Sequence, residues 1–140
     1  APGKRPRLTP NPALAMRDGQ VLMPFGTPGG DVQCQSMVQL FLNVVEFGMD
    51  PQQAIEAPRV SAWSFPNSFW PHAYTPGRLD LEGRIAEGTA AELLGRGHDV
   101  RVLNDWSPAM GALCAIVVDR EAGVLKAGAD PRRAAYAVGR

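Results

Sequence analysis

The residues best suited to chemistry are two adjacent glycines, Gly29 and Gly30, in the segment "GTPGGD" between an apolar strand-like run and an apolar helix. Such a corner could cradle an anion, aim two backbone N–H groups at a reacting carbonyl, or simply turn the chain. Two consecutive N–H donors held toward one point can form an oxyanion hole. Because glycine is also the default residue of strained turns, a purely structural turn is the preferred interpretation of these residues alone.

The anion cradle is the weakest of the three interpretations. Phosphate-binding loops usually carry G-x-x-x-x-G-K-[ST] or G-x-G-x-x-G, and "GTPGGD" matches neither pattern. Asp31 also places a carboxylate at the start of the following helix, where a phosphate would bind and where a carboxylate is a favourable cap. We therefore predict that Asp31 caps this helix.

The other reactive side chains form no recognisable metal or nucleophile set. Cys34 and Cys114 lie in apolar segments, which predicts buried free thiols rather than a disulfide. His72 and His98 stand apart from the cysteines and from each other. We predict no metal site and no cofactor.

Composition predicts one domain over residues 1–140. The 140 residues are 45% apolar, enough for a core, and their 14 basic and 14 acidic residues balance. No net field therefore favours nucleic acid or an anionic membrane. The first residues do not have the pattern of a signal peptide, and the longest apolar run is too short to span a bilayer. The choice between cytoplasm and periplasm stays open.

The hydrophobic pattern predicts the element order β-β-α-α-β-β-α-β-β-β. Turns at Asp18-Gly19 and residues 121–123 predict two hairpins, and apolar residues at three-four spacing predict a helix from about Asp31 to Phe47. A short helix is predicted from Pro51 to Glu56. Because hairpins flank the helices, we expect an α+β fold with mainly antiparallel sheets and helices on their outer faces.

Two further segments carry alternatives. An aromatic loop, residues 63–74, holds five of the ten aromatic side chains: Trp63, Phe65, Phe69, Trp70 and Tyr74. It could line a substrate entrance, but covering the core or a neighbouring subunit is the favoured role. Asp130-Pro131-Arg132 is interpreted as a structural turn whose arginine could pair with a carboxylate elsewhere.

An ordered series of motifs resembles the small subunit of gamma-glutamyltransferases, also called gamma-glutamyltranspeptidases. The series is "KRP", a "DG" hairpin, "GTPGG", a long helix, "FGM" and "APR", followed by "LLGRGHDV" and "AGADPRR". The match covers nearly the whole chain and is thinnest from Ser61 to Arg78. The resemblance implies the N-terminal-nucleophile hydrolase fold, an αββα sandwich of which this chain would be the C-terminal portion.

The resemblance also implies an acyl-transfer mechanism. Family members cleave their own precursor, and the new N-terminal threonine attacks a gamma-glutamyl amide with its α-amino group as base. The acyl group then passes to water, an amino acid or a peptide. The family's Pro-Gly-Gly supplies the oxyanion hole, which corresponds here to Gly29 and Gly30.

Two departures from the family pattern bear on substrate. None of the threonines lies in the family's Thr-Thr-His-type opening, so the nucleophile strand and the acidic loop that binds the substrate's amino group are expected upstream. The Ser-Ser pair that holds the glutamyl carboxylate corresponds here to Leu8-Thr9, so one hydroxyl is lost. Thr9 could bind a substrate carboxylate or stabilise the turn before Pro10, and the acyl group could differ, as in related acylases.

The function expected from the resemblance is that of a gamma-glutamyl hydrolase or transferase of glutathione metabolism. Its partners would be the rest of the precursor, namely the large subunit and the N-terminal strands of the small subunit, and a small substrate such as glutathione. No nucleic acid is expected, and a homo-oligomer is possible. The alternative is a non-catalytic binding or assembly domain that retains only the scaffold.

Overall fold

The computed structural model describes residues 1–5 and 9–139, and its elements follow the predicted order. The strands are β1 (Ala13–Arg17), β2 (Gln20–Gly26), β3 (Val60–Ala62), β4 (Arg78–Glu82), β5 (Asp99–Leu103), β6 (Cys114–Asp119) and β7 (Val124–Ala129). The α-helices are α1 (Gln33–Val45), α2 (Pro51–Glu56) and α3 (Glu87–Gly95), with 3-10 turns at Gly30–Val32 and Pro108–Met110. None of the helices in the described ranges is long and apolar enough to cross a membrane.

The strands form two sheets. One has the order β1-β2-β6-β7 and is antiparallel throughout. The other has the order β3-β4-β5, in which β3 and β4 are antiparallel and β4 and β5 parallel. The parallel pair arises because α3 crosses over between its two strands, as parallel neighbours require. The prediction of mainly antiparallel sheets is confirmed.

Local sequence signals located the first hairpin and the short helix correctly. Asp18 and Gly19 both have positive φ, 51° and 74°, which is the turn geometry that Asp-Gly favours between antiparallel strands. The α2 helix runs from Pro51 to Glu56 as predicted. The Asp50 side chain caps it by accepting from the backbone N–H groups of Gln52 and Gln53.

The core lies where α1 and α2 pack on the four-stranded sheet. Its buried side chains are Met23, Met37, Leu40, Ala54, Ile55, Leu113 and Ala115. Gly128 in β7 permits the close approach of α2, since a Cβ there would lie 2.8 Å from Ile55 Cδ1 and 3.1 Å from Gln52 Cα. The opposite side of α1 is open within the described residues, with Val38 56% and Leu42 43% exposed.

Two glutamine side chains of α1 bind the edge of the second sheet. The Gln35 side chain donates to the Ala62 carbonyl (3.1 Å) and accepts from the Ala62 N–H (2.7 Å). Gln39 makes the same pair of bonds to Val60, both at 2.9 Å. Two amide side chains thus take the place of a neighbouring strand beside β3 and join α1 to the second sheet.

Two sequence predictions about this region are wrong. The helix begins at Gln33 rather than Asp31, because residues 30–32 form a tighter 3-10 turn, and it ends at Val45. Cys34 and Cys114 are free, as predicted, but exposed rather than buried. Cys34 lies on the open side of α1, four residues before the exposed Val38, so an apolar stretch of sequence did not imply burial.

A buried ion cluster of Arg59, Glu82, Asp130 and Arg132 joins the two sheets. Arg59 pairs with Asp130 (2.7 Å), and Arg132 pairs with both Glu82 (2.5 Å) and Asp130 (3.1 Å). The side chains of Glu82, Asp130 and Arg132 are fully inaccessible, and that of Arg59 is 2% exposed. The prediction that Arg132 pairs with a carboxylate elsewhere is confirmed.

Hydrogen bonds to backbone groups complete the cluster. Arg59 donates to the carbonyls of Met110 and Ile55, and the Asp130 carboxylate accepts from the Leu113 N–H. Glu82 accepts from the N–H groups of Arg59 and Ser107. Burial would lower the pKa of Arg132, but the bonds to Glu82 and the charge of Asp130 outweigh it and raise that pKa. The charges are therefore compensated where they are buried.

We predict that Arg132→Met in the full-length protein lowers the free energy of unfolding by about 3–5 kcal/mol, because it leaves buried carboxylates short of a partner. The matched control is Arg96→Met, which removes an arginine from the exposed pair with Glu92 and should cost no more than about 0.5 kcal/mol. Urea unfolding measures both values. Equal losses for the two variants would contradict the importance given to the cluster.

Candidate active site

The glycine corner, residues 27–30, leaves two consecutive backbone donors unused. Gly29 and Gly30 have φ of 140° and 59°, values that side chains disfavour. Their carbonyls accept from Val32 N–H and Gln33 N–H. Neither the Gly29 N–H nor the Gly30 N–H donates to any other described residue. The turn is therefore built on the carbonyls of the two glycines and not on their N–H groups.

A second glycine turn supports the corner from behind. Thr27 Oγ1 donates to the Pro28 carbonyl and accepts from the Ala112 N–H, both at 2.7 Å. A Cβ on Gly111 would lie 2.5 Å from Thr27 Oγ1 and 3.0 Å from the Pro28 carbonyl oxygen. Only glycine at this position allows the two backbones to approach so closely.

Residue 110 links this support to the buried ion cluster. The Met110 carbonyl accepts from Ser36 Oγ in α1 and from the Arg59 guanidinium, both at 2.9 Å. The position of Gly111 is thereby fixed by a helix and by a buried charge.

The sequence analysis did not identify Thr27 or Gly111 as residues of the site. The signal that could have found Gly111 is an isolated glycine directly before an apolar strand.

Asp31 does not cap α1, so that prediction is wrong. It lies inside the 3-10 turn, and the cap position of α1 is occupied by Val32, which makes no side-chain cap bond. The Asp31 carboxylate instead accepts from the Ser68 N–H (2.6 Å) and from Ser68 Oγ (2.5 Å). The residue after the glycine pair therefore binds the aromatic loop.

The aromatic loop lies over the corner with its aromatic side chains mostly in solvent. A Cβ on Gly30 would lie 3.6 Å from Phe69 Cε2. Phe65 is 79% and Trp70 86% exposed, so covering the core of the described chain is not the role of the loop. Trp63 is the inner member, since its Nε1 donates to Asp80. A neighbouring subunit as the partner of the loop stays a prediction.

A cavity separates the loop from α1. Its volume is about 290 Å³, at the lower end of the range of ligand pockets. Asp31, Cys34 and Gln35 line the helix side, while Trp63, Phe65 and Ser68 line the loop side. The described residues form no cluster of ligating side chains able to hold a metal ion.

Of the two residues predicted to bind a substrate carboxylate, Leu8 and Thr9, the structure describes only Thr9. Leu8 lies outside the described residues. Thr9 is half-buried, and its hydroxyl forms no hydrogen bond within the described ranges, so a turn-stabilising bond is not supported. The segment that follows runs along the corner, because Asn11 Nδ2 donates to Cys34 Sγ (3.3 Å) and the Asn11 carbonyl approaches Gly26.

Comparison with known proteins adds to this geometry. The family model for gamma-glutamyltranspeptidase matches residues 1–139. The chain belongs to the gamma-glutamyltranspeptidase family. The resemblance inferred from the ordered motifs is thus confirmed, and so is the N-terminal-nucleophile hydrolase fold, which solved gamma-glutamyltranspeptidases and a cephalosporin acylase share.

Individual relatives are named for different activities. This chain is 39% identical to the glutathione hydrolase-like YwrD proenzyme of Bacillus subtilis. It is 40% identical to the oxamate amidohydrolase proenzyme of Klebsiella pneumoniae. Both alignments cover 99% of the chain. The solved structure of LmbA2991HD is 48% identical over the whole chain, with a TM-score of 0.89. The chain spans 25% of the length of each of these three proteins.

We predict that Gly111→Ala displaces the glycine corner. Its new Cβ would overlap Thr27 Oγ1 and the Pro28 carbonyl, in addition to the strain of φ at 88°. Gly123→Ala is the matched control, because its φ is 66° and no atom lies within 4 Å of the added Cβ. The control should cost about 1–2 kcal/mol of stability and Gly111→Ala about 1–3 kcal/mol more. Thermal unfolding of the full-length variants measures this, and equal shifts in Tm would show that the contact is unimportant.

Proposed function

We propose that the full-length protein hydrolyses or transfers an acyl group from an amide through an acyl-threonine intermediate. In this proposal Gly29 and Gly30 donate the two hydrogen bonds of the oxyanion hole. The supporting observation is the pair of consecutive N–H groups that no other described residue uses, at a corner held rigidly from behind. Preorganised donors of this kind stabilise charge that develops only in the transition state.

The proposed reaction has two acyl-transfer steps. The hydroxyl of an N-terminal threonine attacks the amide carbonyl carbon while its α-amino group takes the proton. Negative charge develops on the carbonyl oxygen, where the N–H groups of Gly29 and Gly30 bind it. Collapse breaks the C–N bond, and the amine leaves with the proton. Water or an acceptor amine then attacks the ester carbonyl by the same route and releases the threonine.

The nucleophile is assigned to the remainder of the protein. The relatives named above are proenzymes, and this chain corresponds to a quarter of their length. We propose that the whole protein is likewise processed from a precursor, and that the present segment contributes the oxyanion donors and one wall of the substrate site. The non-catalytic alternative would not require two unused N–H groups on one corner.

The acyl group has two candidates. A gamma-glutamyl group is supported by the family and by the glutathione hydrolase-like relative. A shorter acyl group is supported by the oxamate amidohydrolase relative, which is 40% identical against 39% for the other, and by the replacement of the family's Ser-Ser with Leu8-Thr9. In the first case we propose that Thr9 donates to the substrate carboxylate, since its hydroxyl has no bond to another described residue.

We predict that Gly30→Ala in the full-length enzyme lowers kcat at least about 10-fold and leaves KM within a few-fold. The added Cβ has room, because only Phe69 Cε2 lies near it, but φ of 59° is unfavourable for alanine, so the N–H shifts. Complete loss of one donor costs about 2.7–4 kcal/mol in the transition state. The control is Gly48→Ala, with φ of 64° and no neighbour within 4 Å. An increase in KM at unchanged kcat would refute the assigned role.

We predict that Thr9→Ala distinguishes the two acyl groups. If Thr9 binds the glutamyl carboxylate, the variant raises KM for a gamma-glutamyl anilide about 10-fold or more, because a hydrogen bond to a charged group contributes about 1.5–3 kcal/mol. KM for the 4-aminobutyryl anilide, which lacks that carboxylate, should not change. Parallel initial-rate measurements on both donors provide the comparison, and equal effects on the two would exclude a bond from Thr9 to the carboxylate.

A further inference from the structure

One side chain of the aromatic loop, Phe69, lies beside the glycine corner. We infer that Phe69 determines specificity by contacting a planar apolar part of the amide substrate beside the scissile carbonyl. We further infer that Asp31 and Ser68 are positioning residues that hold Phe69 there. This inference rests on the proposed function, because it takes the Gly30 N–H as the group that locates the carbonyl.

A short tether fixes Phe69 relative to Gly30. Asp31 directly follows Gly30, Ser68 directly precedes Phe69, and the Asp31 carboxylate accepts from both the N–H and the hydroxyl of Ser68. Hydrogen bonds to an ionised acceptor are about twice as strong as neutral ones, and a two-point contact also fixes orientation. The two bonded residues, Asp31 and Ser68, are thus the immediate chain neighbours of Gly30 and Phe69.

The loop itself is internally bonded at the same place. The Phe69 N–H donates to Asn67 Oδ1 (2.8 Å), and the Phe69 carbonyl accepts from the His72 N–H (2.7 Å). The Asn67 N–H donates to the Ala73 carbonyl (2.9 Å). The backbone of Phe69 is therefore held on both sides by hydrogen bonds within the loop.

The side chain of Phe69 is only partly covered by other residues of the described chain. Its Cε2 lies 3.6 Å from the position that a Cβ on Gly30 would take, yet the side chain is 47% exposed. A carbonyl oxygen bound by the Gly30 N–H would bring the groups attached to that carbonyl close to the ring. Planar apolar groups gain from such a contact beyond the area that they bury. A cavity of about 290 Å³, which Asp31 and Ser68 help to line, offers space for a small group of this kind next to these two residues.

The contacted group can belong to the acyl part or to the leaving amine, and kinetics can separate them. For the amine, kcat/KM is compared for gamma-glutamyl-p-nitroanilide and glutamine, which share an acyl group. For the acyl part, phenylacetyl and acetyl p-nitroanilides share an amine. We expect Phe69→Ala to lower the preference for the aromatic member of one pair about 3- to 10-fold, and Phe69→Leu to lower it less. Trp70→Ala, an adjacent and more exposed aromatic residue, is the control and should leave both preferences unchanged.

The tether is tested by Ser68→Ala against Ser64→Ala, a second serine of the same loop, whose Oγ accepts from the Gly77 N–H. Hydrogen exchange of the full-length protein should show faster exchange of the Phe69 and His72 amides in Ser68→Ala only. Ser68→Ala should also lower the preference for the aromatic donor, as Phe69→Ala does. A purely structural defect would lower kcat/KM equally for all donors and leave that preference unchanged.

The outcomes separate this inference from the proposed function. A wild-type enzyme that hydrolyses the donors, with preferences unchanged in Phe69→Ala, overturns the role of Phe69 and leaves the function intact. Wild-type protein that hydrolyses neither oxamate nor any of the four donors overturns the proposed function, and the role of Phe69 falls with it. Unchanged amide exchange in Ser68→Ala overturns the positioning role in either case.

Discussion

Four charged side chains buried at the junction of the two sheets are the constraint on which the rest of the structure depends. Arg59, Glu82, Asp130 and Arg132 come from three places in the chain, and each would be costly to bury alone. Burial lowers the pKa of Arg59 to about 10, although Asp130 opposes the shift, so Arg59 still carries its charge at neutral pH. Such a cluster tolerates little displacement, because any movement exposes an unpaired charge to a low-dielectric interior.

The cluster determines the geometry of the glycine corner through the backbone. Arg59 holds the Met110 carbonyl, and the next residue, Gly111, is the one against which Thr27 and Pro28 pack. The corner is thus supported by a chain of short contacts that begins at a buried charge. If the two glycines are the oxyanion donors, as proposed, this support spares them reorganisation when charge develops, which an effective oxyanion hole requires.

Local features could be predicted from the sequence, and long-range partners could not. The Asp-Gly hairpin and the Asp50-Pro51 helix start depend on neighbouring residues, so turn and capping preferences located them. Arg132 was expected to pair, but nothing in the sequence pointed to Glu82, 50 positions away. Asp31 was misassigned for the same reason, since its partner Ser68 is 37 positions away and lies in the part of the chain with the thinnest family match.

The Asp31 carboxylate would repel the negative charge that develops in the proposed reaction, and its bond to Ser68 limits this repulsion. It belongs to the residue after Gly30, so it lies near the place where the proposed reaction develops negative charge. Like charges near a protein surface repel, because the effective dielectric constant there is only about 20. A carboxylate close to the developing charge would therefore oppose the stabilisation that the oxyanion donors supply. The two donors of Ser68 disperse part of the charge on Asp31 and hold it toward the loop. The bond that positions Phe69 therefore also limits an unfavourable field at the glycine corner, and loosening it would weaken both effects together.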